Sequence, residues 1–361
     1  MASFWEKESF LAPCDLIVVG AGIVGLSAAL FYKRDHPDSR VIVLDKGAMP
    51  EGASTRNAGF ACIGSISEHV ADMQKESPEN IGRRIVRRYR GLQLLRETLG
   101  DEAIGYEACG GCDFFTDREA FEHSLEHVEE FNAWLKELTG ENQVYSEDTL
   151  NGYPVIRNRL EGALRPGRMM QHLVRRAAAE GIEIRWNSPV ASVGEGEAVL
   201  EDGQCWSSSR VLVACNGFSR RLLPEVSVAP ARGYVMVTDP QPDLPWRGIF
   251  HHDRGYVYFR SVDDRLLIGG ARNIAMEEEE TDRFGINKKI RSHLVSFVNE
   301  HLLPGQDWSV EYEWSGIMGF TPTKTPEIRQ VRPGVHVAAG LSGMGIAIGM
   351  EIARQAAGEL D

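Results

Sequence analysis

The hydrophobic pattern near the start of the chain predicts a strand, a helix and a second strand in close succession. Asp15–Val19 is a short apolar run of the kind that forms a strand buried on both faces. Leu26–Lys33 has helical character, with small residues that allow close packing on a sheet. Val41–Leu44 is the second apolar run, and it ends at Asp45. This order predicts an α/β domain that opens with a strand–helix–strand unit.

Two later segments have different patterns. Residues 80–153 begin with a helix, because apolar side chains recur at helical spacing from Ile81 to Leu95. Residues 226–329 instead contain short β-rich runs separated by turn residues, and these runs are Tyr234–Val237, Gly255–Arg260 and Arg265–Gly269. The second pattern predicts an antiparallel sheet.

Length and charge limit the classes of protein to consider. With 361 residues the chain can bury two cores, so we expect two α/β lobes. The formal charge of −13 has the wrong sign for a protein whose main partner is nucleic acid. No apolar run approaches the roughly 20 residues of a membrane helix, and the N-terminus lacks the pattern of a secretory signal. These features, with six scattered cysteines, predict a cytoplasmic protein with reduced thiols.

The turn between the first strand and the helix has the pattern G-x-G-x-x-G. Gly20 permits the tight turn, Gly22 lets the backbone approach a pyrophosphate, and Gly25 lets helix and strand touch. The helix N-terminus presents N–H groups to the anion, and Asp45 can accept hydrogen bonds from ribose hydroxyls. The pattern predicts a dinucleotide site formed by Gly20, Ala21, Gly22, Ile23, Val24, Gly25, Asp45 and Lys46.

A polar segment soon after the second strand bears on which dinucleotide is bound. It combines hydroxyls, a guanidinium and a small-residue turn in the order Ser54, Thr55, Arg56, Asn57, Ala58 and Gly59. These groups suit a second phosphate clamp near a flavin, and the alternative is a polar surface loop. No second glycine fingerprint follows a strand, so the sequence predicts no separate NAD(P)H domain.

With these motifs, the chain resembles the D-amino-acid oxidase superfamily of FAD-dependent oxidoreductases nearly from end to end. The resemblance continues at Gly162–Met169, Gly181–Ile184, Val211–Gly217, Ala231–Tyr234 and Gly340–Ile346. It implies FAD and an external electron acceptor, either oxygen or a quinone. FAD is expected to be non-covalent, because no cysteine near Trp314 matches the covalent link of monomeric sarcosine oxidase. Further FAD contacts are implied at Val190, Cys215, Asn216, Gly217, Gly316, Ser342, Gly343, Met344, Gly345 and Ile346.

The resemblance also implies how the lobes are divided along the chain. We expect a Rossmann-type FAD-binding domain and an interleaved α+β substrate domain built on a mostly antiparallel sheet. The FAD-binding domain is assigned to residues 1–79, 154–225 and 330–361. The substrate domain is assigned to residues 80–153 and 226–329.

The strand Gly255–Arg260 supplies candidate residues for binding the substrate. Tyr256, Tyr258 and Arg260 lie on one face at a period of two and can anchor a carboxylate; the alternative is an outward polar face. The resemblance favours the first interpretation, because glycine oxidases place a carboxylate-binding tyrosine at the position that Tyr256 matches.

One position departs from the family pattern. The arginine that often binds the substrate carboxylate is replaced here by Met318. Either Arg260, Arg272 or Lys324 supplies the cation, or the substrate has no α-carboxylate. The R-N-A-G turn is similar to the gamma-glutamylputrescine oxidase branch, which acts on amines. The expected substrate-site residues are therefore Tyr256, Tyr258, Arg260, Met318 and Lys324.

Four further sequence features are weaker indications of function. The arginines of residues 83–90 are interpreted as a solvated helix face, and Glu277–Glu280 as a solvated loop. The C-x-x-C motif Cys109–Cys112 is expected in a glycine-rich hairpin rather than in a zinc or redox site. His251 and His252 are possible acid–base groups, although hydride transfer from a neutral amine needs no strong base.

The resemblance implies oxidation of a small amine or amino acid at the C–N bond, with hydride transfer to the flavin and hydrolysis of the imine. A first alternative is an FAD-dependent 2-hydroxy-acid dehydrogenase, since the L-2-hydroxyglutarate branch has a similar N-terminal layout. That branch usually has histidine where this chain has Arg56. A second alternative is a non-catalytic flavin-binding redox sensor.

Overall fold

In the computed structural model, which describes residues 3–360, the chain forms two compact units. The first comprises Met1–Thr55, Gly167–Ala231 and Ile317–Asp361, and the second comprises Arg56–Pro166 and Arg232–Gly316. The points at which the chain passes from one unit to the other differ from the domain boundaries expected from sequence. Residues 56–79, for example, belong to the second unit, since Phe60–Ala61 pairs there with Gly162–Ala163.

Several helices begin at a side chain that accepts a hydrogen bond from an N–H group of the first turn, and these caps are Ser3, Ser65, Asp117 and Asn287. The α-helices are α1 (Phe4–Glu8), α2 (Ile23–Asp35), α3 (Ala53–Arg56), α4 (Ile66–Met73), α5 (Pro78–Leu99), α6 (Asp101–Ile104), α7 (Arg118–Leu125), α8 (Val128–Thr139), α9 (Pro166–Ala179), α10 (Lys288–Phe297) and α11 (Gly345–Gly358). Between residues 3 and 360, no helix combines the length and the apolarity that crossing a bilayer requires.

The strands alternate with these helices in the first half of the chain and follow one another directly in the second. They are β1 (Cys14–Val19), β2 (Val41–Leu44), β3 (Phe60–Ala61), β4 (Gly111–Phe114), β5 (Tyr145–Leu150), β6 (Tyr153–Asn158), β7 (Gly162–Ala163), β8 (Glu183–Arg185), β9 (Val190–Gly194), β10 (Glu197–Leu200), β11 (Cys205–Val213), β12 (Ala229–Thr238), β13 (Ile249–His252), β14 (Val257–Val262), β15 (Arg265–Gly270), β16 (Val310–Phe320), β17 (Glu327–Arg332) and β18 (Val335–Ala339).

The first sheet is the predicted Rossmann-type sheet. Its main path is β17-β18-β11-β1-β2-β8, with β9 and β10 attached through β11. The pairs of β1 with β2 and β11 are parallel, as are β2 with β8 and β11 with β18. Helices α2 and α11 pack against each other, and Ile23 lies where any side chain on Gly349 would stand. The predicted strand–helix–strand unit is confirmed as β1-α2-β2.

The second sheet is mostly antiparallel, as the short β-rich runs predict. Its order is β16-β12-β15-β14-β13-β4-β6-β5, and only the β4–β13 pair among the registered pairs is parallel. Val257 and Phe259 point from β14 into a core of aromatic and aliphatic residues. Tyr258 points to the opposite side, where it packs against a second cluster that contains Val235 and Leu267 and contacts the Phe60 ring. The period of two along this strand is therefore confirmed.

Candidate functional site

In the glycine turn of the first unit, the main chain of α2 lies very close to the main chain of the turn that precedes it. Gly20 has φ +109°, a region that side-chain-bearing residues rarely adopt. A Cβ on Gly25 would stand 1.9 Å from the carbonyl oxygen of Gly20, so only glycine lets α2 begin directly against β1. The N-cap residue of α2 is Gly22, which has no side chain to occupy the helix N-terminus. The first turn of α2 can therefore face an anion.

Asp45, at the end of β2, is oriented by the same turn. One carboxylate oxygen accepts a hydrogen bond from the Ala21 N–H at 2.7 Å, and the other accepts from the Gly47 N–H at 2.9 Å. Burial raises the pKa of this carboxyl, and the two amides oppose that effect. A carboxylate has about four acceptor positions, so two remain for ribose hydroxyls. Ser54 lies at the start of α2, where its hydroxyl accepts a hydrogen bond from the Ile23 N–H at 3.0 Å and so occupies one amide of the first turn.

Three predicted segments from distant parts of the sequence meet in the first unit. The Asn216 side-chain oxygen accepts hydrogen bonds from the N–H groups of Gly340 and Leu341 at 3.0 and 3.3 Å. A Cβ on Gly217 would stand 2.4 Å from the Met318 carbonyl oxygen. The glycine-rich turn Ser342–Ile346 therefore lies beside both segments at the start of α11, whose N-cap Met344 makes no side-chain cap bond.

Met318 and Lys324 are also placed in the first unit. The Met318 sulfur lies 3.8 Å from the Cβ position of Gly343, and Ser342 donates its N–H to the Gly319 carbonyl at 2.8 Å. Lys324 is half-buried in the turn between β16 and β17, with φ +55°. Met318 thus lies near the end of β16 beside the C-terminal glycine turn, and Lys324 lies in the turn that follows this strand.

The remaining predicted cofactor residues of this unit make local contacts. The Lys46 ammonium lies 4.2 Å from the centroid of the Phe218 ring. Burial raises the pKa of the Cys215 thiol to about 12, and that thiol donates to the Val19 carbonyl. Val190 packs at the margin of the apolar core, and the Thr55 hydroxyl closes its own turn.

Arg56, the first residue of the second unit, is held by residues near the end of that unit. Its guanidinium donates to the Ser315 carbonyl at 3.0 Å and lies 4.6 Å from the centroid of the Phe284 ring. The Trp314 indole N–H donates to the Arg56 carbonyl at 2.9 Å, and a Cβ on Gly316 would stand 3.2 Å from the Arg56 Cβ. The predicted R-N-A-G turn and the predicted W-S-G segment are thus in contact.

Arg260 is directed at the main chain rather than at an open cavity. Only 3% of the residue is exposed, and Nη1 donates to the carbonyls of Gly59 and Leu164 at 3.0 and 2.9 Å and, at 3.3 Å, of Ala58. Burial lowers the pKa of Arg260. Asn57 shapes the same turn, because its side-chain oxygen accepts from the Gly59 N–H. Arg260 therefore fixes residues 57–59, a role that the strand pattern did not predict.

Tyr256 and Arg272 lie together at one end of the second sheet. Tyr256 precedes β14, and its carbonyl accepts a hydrogen bond from the Ala271 N–H at 2.6 Å. Burial lowers the pKa of Arg272, and the neighbouring Tyr256 phenol opposes that effect. Burial raises the pKa of the Tyr258 phenol to about 12.

Buried charges correct two of the weaker sequence interpretations. Arg88 is 3% exposed and forms an ion pair with Glu68 at 2.9 Å, so the arginines of α5 are not all on a solvated face. Glu279 is completely buried and pairs with Arg232 at 2.8 Å, so residues 277–280 are not simply a solvated loop. The C-x-x-C motif leads into β4 rather than forming a hairpin, because β4 pairs with β6 and β13.

Comparisons with known proteins bear on the family and the fold. The family model described as DAO, FAD dependent oxidoreductase, matches residues 15–358. The probable oxidoreductase OrdL of Rhizobium meliloti is 26% identical over 357 residues, which cover 92% of this chain and 79% of OrdL. Gamma-glutamylputrescine oxidoreductase of Escherichia coli is 25% identical over 364 residues, covering 92% and 80%. Glycine oxidase from Geobacillus kaustophilus has the same fold, with a TM-score of 0.77 at 20% identity over 96% of this chain and 94% of that one.

Proposed function

The chain belongs to the DAO family of FAD-dependent oxidoreductases, and from that premise we propose that it oxidises a small amine or amino acid at the carbon that bears nitrogen. The names of two similar proteins, gamma-glutamylputrescine oxidoreductase and glycine oxidase, support this substrate class. The observation that carries the proposal is the position of the half-buried Arg272 in the second unit, next to Ala271, whose N–H donates to the Tyr256 carbonyl at 2.6 Å.

The first unit fits FAD on the geometry of its own residues. The side-chain-free turn at Gly20, Gly22 and Gly25 would hold the pyrophosphate, and Asp45 would hold a ribose. The amides at the start of α11 would face the flavin, where a helix N-terminus stabilises negative charge. FAD, when bound non-covalently there, supplies the acceptor for the hydride that leaves the substrate carbon.

The second unit supplies the groups that we assign to substrate. A guanidinium that is partly removed from water binds a carboxylate more strongly than an exposed one, and the Tyr256 hydroxyl adds a donor. Arg272 therefore replaces the family arginine whose position Met318 occupies, while Arg260 remains committed to the main chain. The amine must be neutral to release hydride, and water then hydrolyses the imine. Oxygen or a quinone would then accept the electrons from the reduced flavin.

Anaerobic mixing with a panel of amines, amino acids and 2-hydroxy acids tests this proposal. We expect loss of the visible flavin absorbance with at least one amine or amino acid. Loss of this absorbance with 2-hydroxy acids alone would establish the dehydrogenase alternative. Absorbance that persists with every compound would favour the redox sensor.

A variant tests the carboxylate anchor separately. For an amino-acid substrate, Arg272→Met should raise KM about 10- to 100-fold, equivalent to about 1.4–3 kcal/mol of charged hydrogen bonding. Arg247→Met is the matched control, because the Arg247 side chain is 68% exposed and its ion pair is long. An unchanged KM in Arg272→Met would remove this residue from the substrate site.

A further inference from the structure

A carboxylate buried in the second unit ties together three segments that are distant in sequence. Glu161 is 1% exposed. One of its oxygens accepts hydrogen bonds from the N–H groups of Ile63 and Gly64, both at 2.9 Å. Its other oxygen lies 2.8 Å from His251 Nε2. Gly111 leaves room for this group, because a Cβ there would stand 2.1 Å from the carboxylate.

The β13–β14 hairpin uses this carboxylate to hold the segment that follows the R-N-A-G turn. His251 on β13 is the cross-strand neighbour of Tyr258 on β14. Both rings make edge contacts with Phe60, each at a centroid distance of 5.4 Å. Arg260, two residues along from Tyr258, donates to the carbonyls at the beginning of the same segment. The segment 58–64 is therefore held at both ends: the Arg260 guanidinium binds its first carbonyls, and the Glu161 carboxylate binds its last N–H groups.

The groups around His251 favour an imidazolium. Glu161, Asp113 and Glu68 all face it and raise its pKa against the effect of burial. Asp113 is the register partner of His251 on β4 and is itself 3% exposed. Arg88 neutralises Glu68 through a two-point ion pair, which leaves His251 as the cation for Glu161. The nearby Cys62 thiol keeps its proton, since burial raises its pKa well above the ordinary value.

We propose that His251 and Glu161 form a buried ion pair that positions residues 56–64 for binding FAD, so that cofactor affinity depends on the protonation of His251. This inference rests on the assignment of Arg56–Gly59 to the FAD site. Neither residue acts on substrate; both act by fixing the amides of Ile63 and Gly64 and the ring of Phe60. Because the pair exists only while His251 is protonated, FAD affinity falls as pH rises through the pKa of His251.

The first measurement needs only the wild-type protein and one assignment variant. NMR of histidine-labelled protein, with His251→Gln to identify the signal, follows the imidazole through a pH titration. We expect His251 to titrate above the ordinary histidine pKa of about 6.5. A signal that stays neutral down to about one pH unit below that value would overturn the ion pair.

The second measurement links the pair to the cofactor. FAD dissociation constants are measured across pH for the wild type, Glu161→Gln and His251→Gln, with His123→Gln as control, because His123 is an exposed residue of the same unit. We expect the FAD affinity of the wild type to fall by at most about tenfold for each pH unit above the His251 pKa of the free protein, and to become constant once His251 is neutral in the FAD complex as well. Glu161→Gln keeps an acceptor for the amides of Ile63 and Gly64, so it should fold while losing this pH dependence.

The outcomes separate this inference from the proposed function. If the wild type binds no FAD, the proposed function fails. If FAD binds with the same affinity and pH dependence in the wild type and both variants, the positioning role fails and the proposed function stands. A metal ion recovered in stoichiometric amount with the wild type and lost in His251→Gln would also overturn the ion pair, because Cys62, Glu161 and His251 offer ligand atoms within 4.8 Å of one another.

Discussion

Replacing Gly25 by alanine tests the close contact on which the glycine turn between β1 and α2 depends. The new Cβ would stand 1.9 Å from the Gly20 carbonyl oxygen and 3.2 Å from Val18 Cγ1. The first distance is far inside van der Waals contact, and its partner is main chain, so α2 must move away from β1. Overpacking of this kind costs typically about 1–3 kcal/mol of folding free energy, and sometimes more. The same displacement moves the helix N-terminus that we propose as the pyrophosphate site.

We therefore expect Gly25→Ala to lower the free energy of unfolding and to weaken FAD binding by about 10- to 100-fold. Denaturant unfolding of the apoprotein measures the first effect, and titration with FAD measures the second. Gly358→Ala is the matched control, because Gly358 also lies in a helix but has nothing within 4 Å of its Cβ position. If Gly25→Ala matches the wild type in both assays, the contact between α2 and β1 does not shape the site.

Three further predictions address single interactions. Asp45→Asn turns an amide donor toward a main-chain N–H, so FAD binding should weaken about tenfold or more in a fluorescence titration; unchanged affinity would exclude the ribose role. Burial raises the pKa of Asp113 to about 6 from 3.8, so the folded state binds extra protons between these values and loses stability as pH rises through them. Asp113→Asn should therefore stabilise the fold by up to about 3 kcal/mol near about pH 8, with the gain fading below about pH 6; a gain independent of pH would contradict this cause. Arg232→Met leaves Glu279 charged and buried, which should cost about 3–5 kcal/mol in chemical denaturation, whereas Arg118→Met at an exposed pair should cost at most about 1 kcal/mol; equal losses would show that burial does not matter here.

The parts of the fold that sequence predicts are those that local pattern determines. β1, the glycine turn, α2 and β2 follow from consecutive residues, because each spacing or small residue has a steric reason at its own position. The alternation along β14 is predicted equally well, with Val257 and Phe259 in the core. The contacts of the opposite face are not predicted, because the strand pattern does not show that Arg260 donates to the carbonyls of residues 58, 59 and 164.

Buried ion pairs are the main feature that sequence analysis missed. Glu161, Glu279 and Arg88 stand in segments rich in charge, where exposure is the usual outcome. Each is buried because its partner comes from a distant segment, and no single-sequence pattern shows such a pairing. Gly111 is the nearest local signal, since its missing side chain makes room for Glu161. The two compact units also differ from the domain boundaries expected from sequence, because the short β3–β7 pairing joins residues about a hundred positions apart.

In the proposed reaction, hydride leaves the carbon that bears nitrogen. The most direct test compares the rate of anaerobic flavin reduction by the best amine or amino acid of the panel with the rate for the same compound deuterated at that carbon. We predict complete reduction with both compounds and a slower reaction with the deuterated one. Reduction that proceeds only with hydroxy acids, or with no amine at all, would contradict the proposed reaction.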